Sequence, residues 1–321
     1  MESLTLSRCV DPEQWLKFVS LSPQGSRYAT PIVIEALGCK ADFWFLSRNG
    51  YPVAGVAVIT ENAAGVGLPL HSYYVGIMFH PEAWNCKANR RTENCLIFTE
   101  ALMDELSQHY DYLELCLHTS IQDIRGIDWF NYHTPELGRA VISPCYTAQA
   151  QLQPQSQIRD EARGSRRREE KYACSREHLY FSLDGSVQEL VNLYHESFKR
   201  QSIDVSEITL EVTRNFAEVV LKEQLGIVAV TRDQQGVAQT AGLMFFDYNG
   251  LVHLPVVGTS DTRYGGTMLY FGMMDYAAEQ GYKVMDFNGA NSPKRGYFKH
   301  SIGAKAQLYF YVVWEKPNES A

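Results

Sequence analysis

The stretch V-M-D-F-N-G-A-N-S-P-K-R-G-Y-F-K-H-S-I-G-A, Val284 to Ala304, decides how the chain is read. Val284, Met285 and Phe287 have the apolar, β-compatible character of a short strand. Residues Asn288 to Pro293 end it, because Asn and Gly accept unusual backbone angles and Pro293 cannot continue a strand ladder. An aromatic and basic segment follows, Lys294 to His300, closed by Gly303. On residue types alone this is a solvated strand-to-helix turn. Its surroundings make it a candidate site.

Immediately upstream, Thr267 to Gln280 reads as a helix closed by Gly281 and opened by Arg263-Tyr264-Gly265-Gly266-Thr267. Glycines let a ligand approach the backbone there, and a helix N-terminus favours an anion. Before it, strands are expected over 227–231, 239–248 and 251–257, with turns at Gln234-Gln235-Gly236 and Tyr248-Asn249-Gly250. Helices over 187–200 and 212–225 and a strand over 179–183 precede these. A last strand is expected over 306–314.

The first half repeats that order. Helices are expected over 11–24 and 31–37, then strands over 43–46, 53–59 and 70–79, with Asn49-Gly50 as a hairpin turn. A helix within 92–110, a strand over 112–117, a short irregular stretch over 121–132 and a strand over 146–152 complete it. Leu70-His71-Ser72-Tyr73-Tyr74-Val75-Gly76 and Val252-His253-Leu254-Pro255-Val256-Val257-Gly258 share His-x-x-x-x-Gly on the third strand of each meander, which supports internal duplication. Between the halves, residues 153–177 interleave Arg and Glu as an exposed helix would. The expected division is therefore 1–152, a charged connection 153–177, and 178–321. Arg166, Arg167 and Arg168 are either part of that solvated face or a phosphate clamp.

Composition narrows the function classes. With 321 residues and a net charge of −8, the chain suits two globular domains and not a general nucleic-acid binder; no DNA partner is expected. Seven scattered Cys without a C-x-x-C pair read as reduced thiols, and the N-terminus lacks a signal-peptide pattern. No apolar run reaches membrane-spanning length, so a cytoplasmic protein is expected. H-E-x-x-H, Walker and G-x-S-x-G motifs are missing, as is any Cys/His cluster at zinc spacing, and no metal is expected.

The repeated order of elements resembles the GNAT fold of N-acyltransferases, in tandem. The pattern D-F-N-G-A-N-x5-Y-F-K-x3-G-A, from Asp286 to Ala304, resembles the FemABX superfamily, and within it the BioF2-like, cellulose-biosynthesis-associated acetyltransferases. The resemblance implies an α/β fold of two GNAT-like domains with mixed sheets and a cleft between them. It implies transfer of an acyl or aminoacyl group to an amine of a cell-envelope, polysaccharide or peptide precursor. Acyl-CoA would be the co-substrate, with no tightly bound cofactor.

By the same resemblance, donor phosphates would rest on Arg263, Gly265, Gly266 and Thr267, with Asn288 and Asn291 on the adjoining loop. The adjacent glycines depart from the usual Gly-x-Gly spacing. The matching stretch 88–93 has no Gly, so only the second half would hold a donor. Phe298-Lys299 would stabilise an oxyanion, and Tyr297 would protonate the leaving group. Asp286 is a base or, preferably, a loop cap, and His253 a base or a satisfied core residue. Acceptor contacts would come from Arg166, Arg167, Phe298, His71, Tyr73 and Tyr74. Two other readings stand beside this one: an aminoacyl-tRNA-dependent peptidyltransferase, and a catalytically inert binding pair.

Overall fold

A computed structural model describes residues 3–317. In chain order its first half contains β1 (Leu4–Arg8), α1 (Pro12–Leu21), α2 (Pro31–Ala36), β2 (Cys39–Arg48), β3 (Tyr51–Asn62), β4 (Ile77–Phe79), α3 (Pro81–Trp84), α4 (Ala88–Leu106), β5 (Tyr112–Cys116), α5 (Arg125–Asp128) and β6 (Val141–Gln151). The second half contains α6 (Gly164–Ser175), β7 (Tyr180–Ser182), α7 (Val187–Lys199), α8 (Glu207–Lys222), β8 (Gly226–Arg232), β9 (Ala238–Phe246), β10 (Leu251–Thr259), α9 (Gly265–Glu279), β11 (Val284–Asp286), α10 (Pro293–Ser301) and β12 (Lys305–Glu315). This is the expected α/β architecture with mixed sheets.

The chain divides into two compact units. The first takes residues up to Cys145 and again from Leu308, and the second is Tyr146–Gln307. That differs from a division at 152 and 178. The last strand belongs to the first unit because β12 pairs antiparallel with β5, Tyr311 opposite Cys116. The charged segment 153–177 belongs to the second unit because its charges are partnered there. Arg159 forms paired hydrogen bonds to Glu170 and Asp275 and lies over the Phe271 ring, 4.9 Å from its centroid, which pins the segment to α9.

In the first unit β1, β2, β3 and β4 form an antiparallel sheet. Alternation along β3 buries Ala54, Val56 and Val58 against Phe98, Leu102 and Met103 of α4, and Trp314 of β12 joins that core. One expected strand is shorter than its pattern. Only Ile77–Phe79 pairs, and 70–76 is irregular, with His71 and Tyr74 at φ +62° and +60°. A left-handed residue cannot lie in a pleated ladder. His71 and His253 are therefore not equivalent, since only His253 is on a strand.

In the second unit the order is β6-β11-β10-β9-β8-β7, with β10–β11 parallel and the other pairs antiparallel. The β9–β10 register shifts between His253 and Val256, around Pro255, which lacks an N–H to donate. Past the bulge, α7 crosses β10 so closely that a Cβ on Gly258 would lie 2.2 Å from the Tyr194 backbone nitrogen. Neither backbone can yield cheaply. Gly258→Val should therefore cost at least about 2 kcal/mol of stability, read as a shifted denaturant midpoint at unchanged slope.

Candidate active site

The turn after β11 is built on one carboxylate. Asp286 is fully buried and accepts hydrogen bonds from the Thr147 hydroxyl, the Gln149 side-chain amide (3.0 Å) and the Asn288 backbone N–H (2.8 Å). These bonds hold Asn288 in the left-handed region, φ +56°, which Asn tolerates better than most residues. Asn291 anchors the far end of the turn, its Oδ1 accepting the Tyr146 N–H at 2.6 Å. Asp286, Asn288 and Asn291 thus spend these bonds on the loop itself.

His253 lies opposite Asp286 in the β10–β11 register and is fully buried. Its Nδ1 is 3.0 Å from Asn288 Oδ1 and its Nε2 is 2.9 Å from Asp247 Oδ2. Both ring nitrogens are therefore engaged by neighbouring side chains, and the Asp247 carboxylate favours the charged form of the ring. Burial opposes that charge, but the hydrogen bond and charge of Asp247 outweigh it and raise the pKa above the ordinary value. A general base needs an unprotonated nitrogen facing substrate, and His253 presents none. It ties the turn to the end of β9.

Lys299, on α10, closes the turn from the other side. Its Nζ donates to the carbonyls of Asn288 (2.6 Å) and Gly289 (2.8 Å), leaving a third N–H for another acceptor. Burial lowers its pKa to about 8, with Asp286 pulling the other way. The ammonium is thus fixed in place and easily neutralised. Tyr297 precedes it by two residues, and two steps of 100° place the side chains on opposite sides of the helix. Tyr297 is 57% exposed, its hydroxyl bonded to Arg163 and its ring beneath that guanidinium. The structure does not bring Tyr297 and Lys299 to one carbonyl.

Phe298 faces α9. Its ring stands edge-on to Tyr270, centroids 5.2 Å apart, and is the nearest group to Gly266, 3.7 Å from where a Cβ would be. At the start of α9, Tyr264 is the N-cap at φ +63° with no side-chain cap. Gly265 is required by space, since a Cβ there would meet Thr262 at 2.6 Å and Thr240 at 2.9 Å. The first-turn N–H groups of a helix have no intrahelical partners, so an uncapped turn is an anion cradle.

Arg166 reaches this turn: its guanidinium is 4.6 Å from the Phe298 centroid, donates to Ser301 Oγ at 2.7 Å, and lies 3.5 Å from Thr267 Oγ1. Arg167 and Arg168 are exposed on α6, and Arg263 is exposed beside α9, so the three arginines of α6 do not act as one clamp. Glu169 is the residue that the sequence reading missed. Its Oε2 accepts from Arg166 (2.6 Å) and from the Thr267 hydroxyl (2.8 Å). The signal was the Arg-x-x-Glu spacing, which places both on one helix face.

His71, Tyr73 and Tyr74 lie in the first unit. Burial lowers the His71 pKa to about 4, and Tyr74, 2% exposed, packs edge-on to Tyr309 and His118. Among the described residues, no group of His, Cys, Asp and Glu is gathered for a metal.

The His253–Asp247 pair gives a stability prediction. A raised folded pKa means its contribution is complete below about pH 6.5 and fades as pH rises through the folded value. His253→Leu should cost about 3–5 kcal/mol near pH 6, because it buries Asp247 without its counter-charge. In urea titrations the gap from the parent protein should narrow at high pH; a gap constant from pH 6 to 10 would contradict the charged pair.

Comparison with known proteins bears on the fold. Residues 156–299 match the family model described as an acetyltransferase (GNAT) domain. No curated protein matches the chain in sequence. Among solved structures it is similar to FemX, with 9% identity, a TM-score of 0.67 and 96% of each chain covered. It is similar to L-PGS from Bacillus licheniformis, with 15% identity, a TM-score of 0.54 and coverage of 97% of this chain and 93% of that one. A tandem GNAT protein from the clavulanic acid biosynthesis pathway, at 11% identity and a TM-score of 0.57, covers 99% of this chain and all of its own, 100%. At such identities the structural likeness establishes the fold alone. Residues 156–299 thus carry the match to an acetyltransferase (GNAT) domain, and the chain as a whole has the fold seen in FemX and in the tandem GNAT protein.

Proposed function

We propose that the second unit transfers an acyl group from acyl-CoA to an amine. The observation that carries this reading is the uncapped, glycine-opened first turn of α9, with Arg166 at its side, Phe298 against Gly266, and Lys299 next along α10 on the turn after β11. The donor's phosphates would take the N–H groups of that turn and the Arg166 guanidinium. The thioester carbonyl would accept the third N–H of Lys299.

A neutral amine then attacks the carbonyl carbon, and the developing oxyanion is held by the ammonium. The tetrahedral intermediate collapses with loss of the thiolate, and the nitrogen's extra proton passes to that thiolate, directly or through solvent. Orientation and one fixed charge supply most of the rate enhancement in this scheme. Asp286, Asn288 and His253 hold the turn that aims Lys299. Tyr297, on the far side of α10, takes no part.

An aminoacyl-tRNA donor would want a broad basic surface. The most basic segment offers little of one: Arg159 is bound to Glu170 and Asp275, Arg166 to Glu169, and Arg176 lies over Tyr172. The sum favours the smaller donor. Acetyl-CoA should raise the melting temperature and an aminoacyl-tRNA should not; the reverse result would transfer the reading to the second donor. Among the described residues no helix is long and apolar enough to cross a membrane. The acceptor amine is read as that of an envelope, polysaccharide or peptide precursor, in keeping with the FemABX-like fold.

Three substitutions test the roles. Lys299→Ala should lower kcat by about 10²–10³-fold with the fold intact. The active form is cationic, so the rate should fall as pH rises through about 8, the folded pKa of Lys299. Lys299→Arg should remove that alkaline limb, because a guanidinium stays charged; an unchanged limb would exclude Lys299 as its source. Glu169 occupies Arg166 and Thr267 where the phosphates would bind, so donor binding must displace it. Glu169→Gln should then tighten acetyl-CoA binding by about threefold to tenfold in calorimetry, and weaker binding would overturn this role.

A further inference from the structure

The first unit holds a pocket that acyl transfer in the second leaves unused. Its volume is about 700 Å³, and its walls come from α1, the β2–β3 hairpin, the turn into α3, and α4. That volume lies inside the range of small-molecule sites, about 300–1,000 Å³.

Its lining combines two chemistries. Phe18, Phe45 and Phe98 are buried and form an aromatic floor. Lys17, Arg48 and Arg90 stand around it, against a single carboxylate, Glu82. His80, also in the wall, turns its Nδ1 toward the Glu82 backbone N–H at 3.4 Å and serves as the N-cap of α3. The Arg48 guanidinium lies 4.8 Å above the Phe98 ring, so cation and floor form one surface. In a chain of net charge −8, three cations against one anion run opposite to the overall balance.

Each half of the lining excludes a class of occupant. A purely apolar ligand has no use for three cations, whose desolvation it would have to bear. A bare inorganic anion would leave the exposed apolar wall, Leu21 and Tyr51, wet and gain nothing from it. A molecule with an anionic head and an apolar body satisfies both.

We propose that this pocket binds a small organic anion, a carboxylate or phosphate carried on an apolar body. The head group sits among Lys17, Arg48 and Arg90, and the body lies along Leu21 and Tyr51, above the floor of Phe18 and Phe45. The site is independent of the donor turn on α9 and stands whether or not the donor is acyl-CoA.

Isothermal titration of the full chain with octanoate, octyl phosphate, octan-1-ol and inorganic phosphate tests it. One or both anionic amphiphiles should bind at least about tenfold more tightly than octanol or phosphate, and the tighter one identifies the head group. Lys17 and Arg90 are exposed, so the double variant Lys17→Glu/Arg90→Glu should keep its melting temperature and its acetyl-CoA response. It should lose about tenfold or more in affinity for the amphiphile. Octanol or phosphate binding as tightly as the amphiphiles, undiminished binding by the double variant, or no binding of either amphiphile at millimolar concentration would overturn the proposal.

Discussion

A buried carboxylate with nowhere to put its charge except on its neighbours organises the second unit. Asp286 cannot be solvated, so its lone pairs must be met from within, and they are met by β6 on one side and by the turn it begins on the other. The turn must bend through a left-handed Asn288 to present its N–H. Once bent, it offers Asn288 Oδ1 to His253 and two carbonyls to Lys299. A buried carboxylate, a histidine and a lysine therefore share one short piece of backbone. Each is expensive alone and tolerable only beside the others.

Local patterns were legible in the sequence in proportion to how local their causes are. The helix at 267–280, its glycine opening and its Gly281 stop could be read directly, because capping and periodicity act within a few residues. So could the short strand and polar break at 284–293. The strand read at 70–79 failed because apolar alternation says nothing about φ, and His71 and Tyr74 turn left-handed. The division of the chain was misplaced because the partner of β12 is β5, far away in sequence. Charge-rich 153–177 looked like a solvated connection because the residues that neutralise Arg159 include Asp275, more than a hundred positions on.

The stretch that forms the turn and α10 was legible, but the direction of each side chain was not. Tyr297, Phe298 and Lys299 were grouped because they are adjacent, yet adjacency on a helix sends side chains to different faces. Phe298 meets α9, Lys299 meets the turn, and Tyr297 meets Arg163. His253 has the residue type of a base and the surroundings of a cation. Glu169 went unread because one of its partners, Thr267, is 98 positions away, although a carboxylate is well placed at a positive helix end.

The β5–β12 pairing has a consequence for synthesis. Cys116 must wait for Tyr311 before its ladder is complete, about 200 residues later. At roughly 5–20 residues per second on the ribosome, that delay is on the order of tens of seconds. During it the whole of Tyr146–Gln307 emerges and can fold, while the earlier unit still lacks Val312 and Trp314 from its core. The half that is made first is therefore finished last, and an open β5 edge is what a nascent chain would have to shield from pairing with its neighbours.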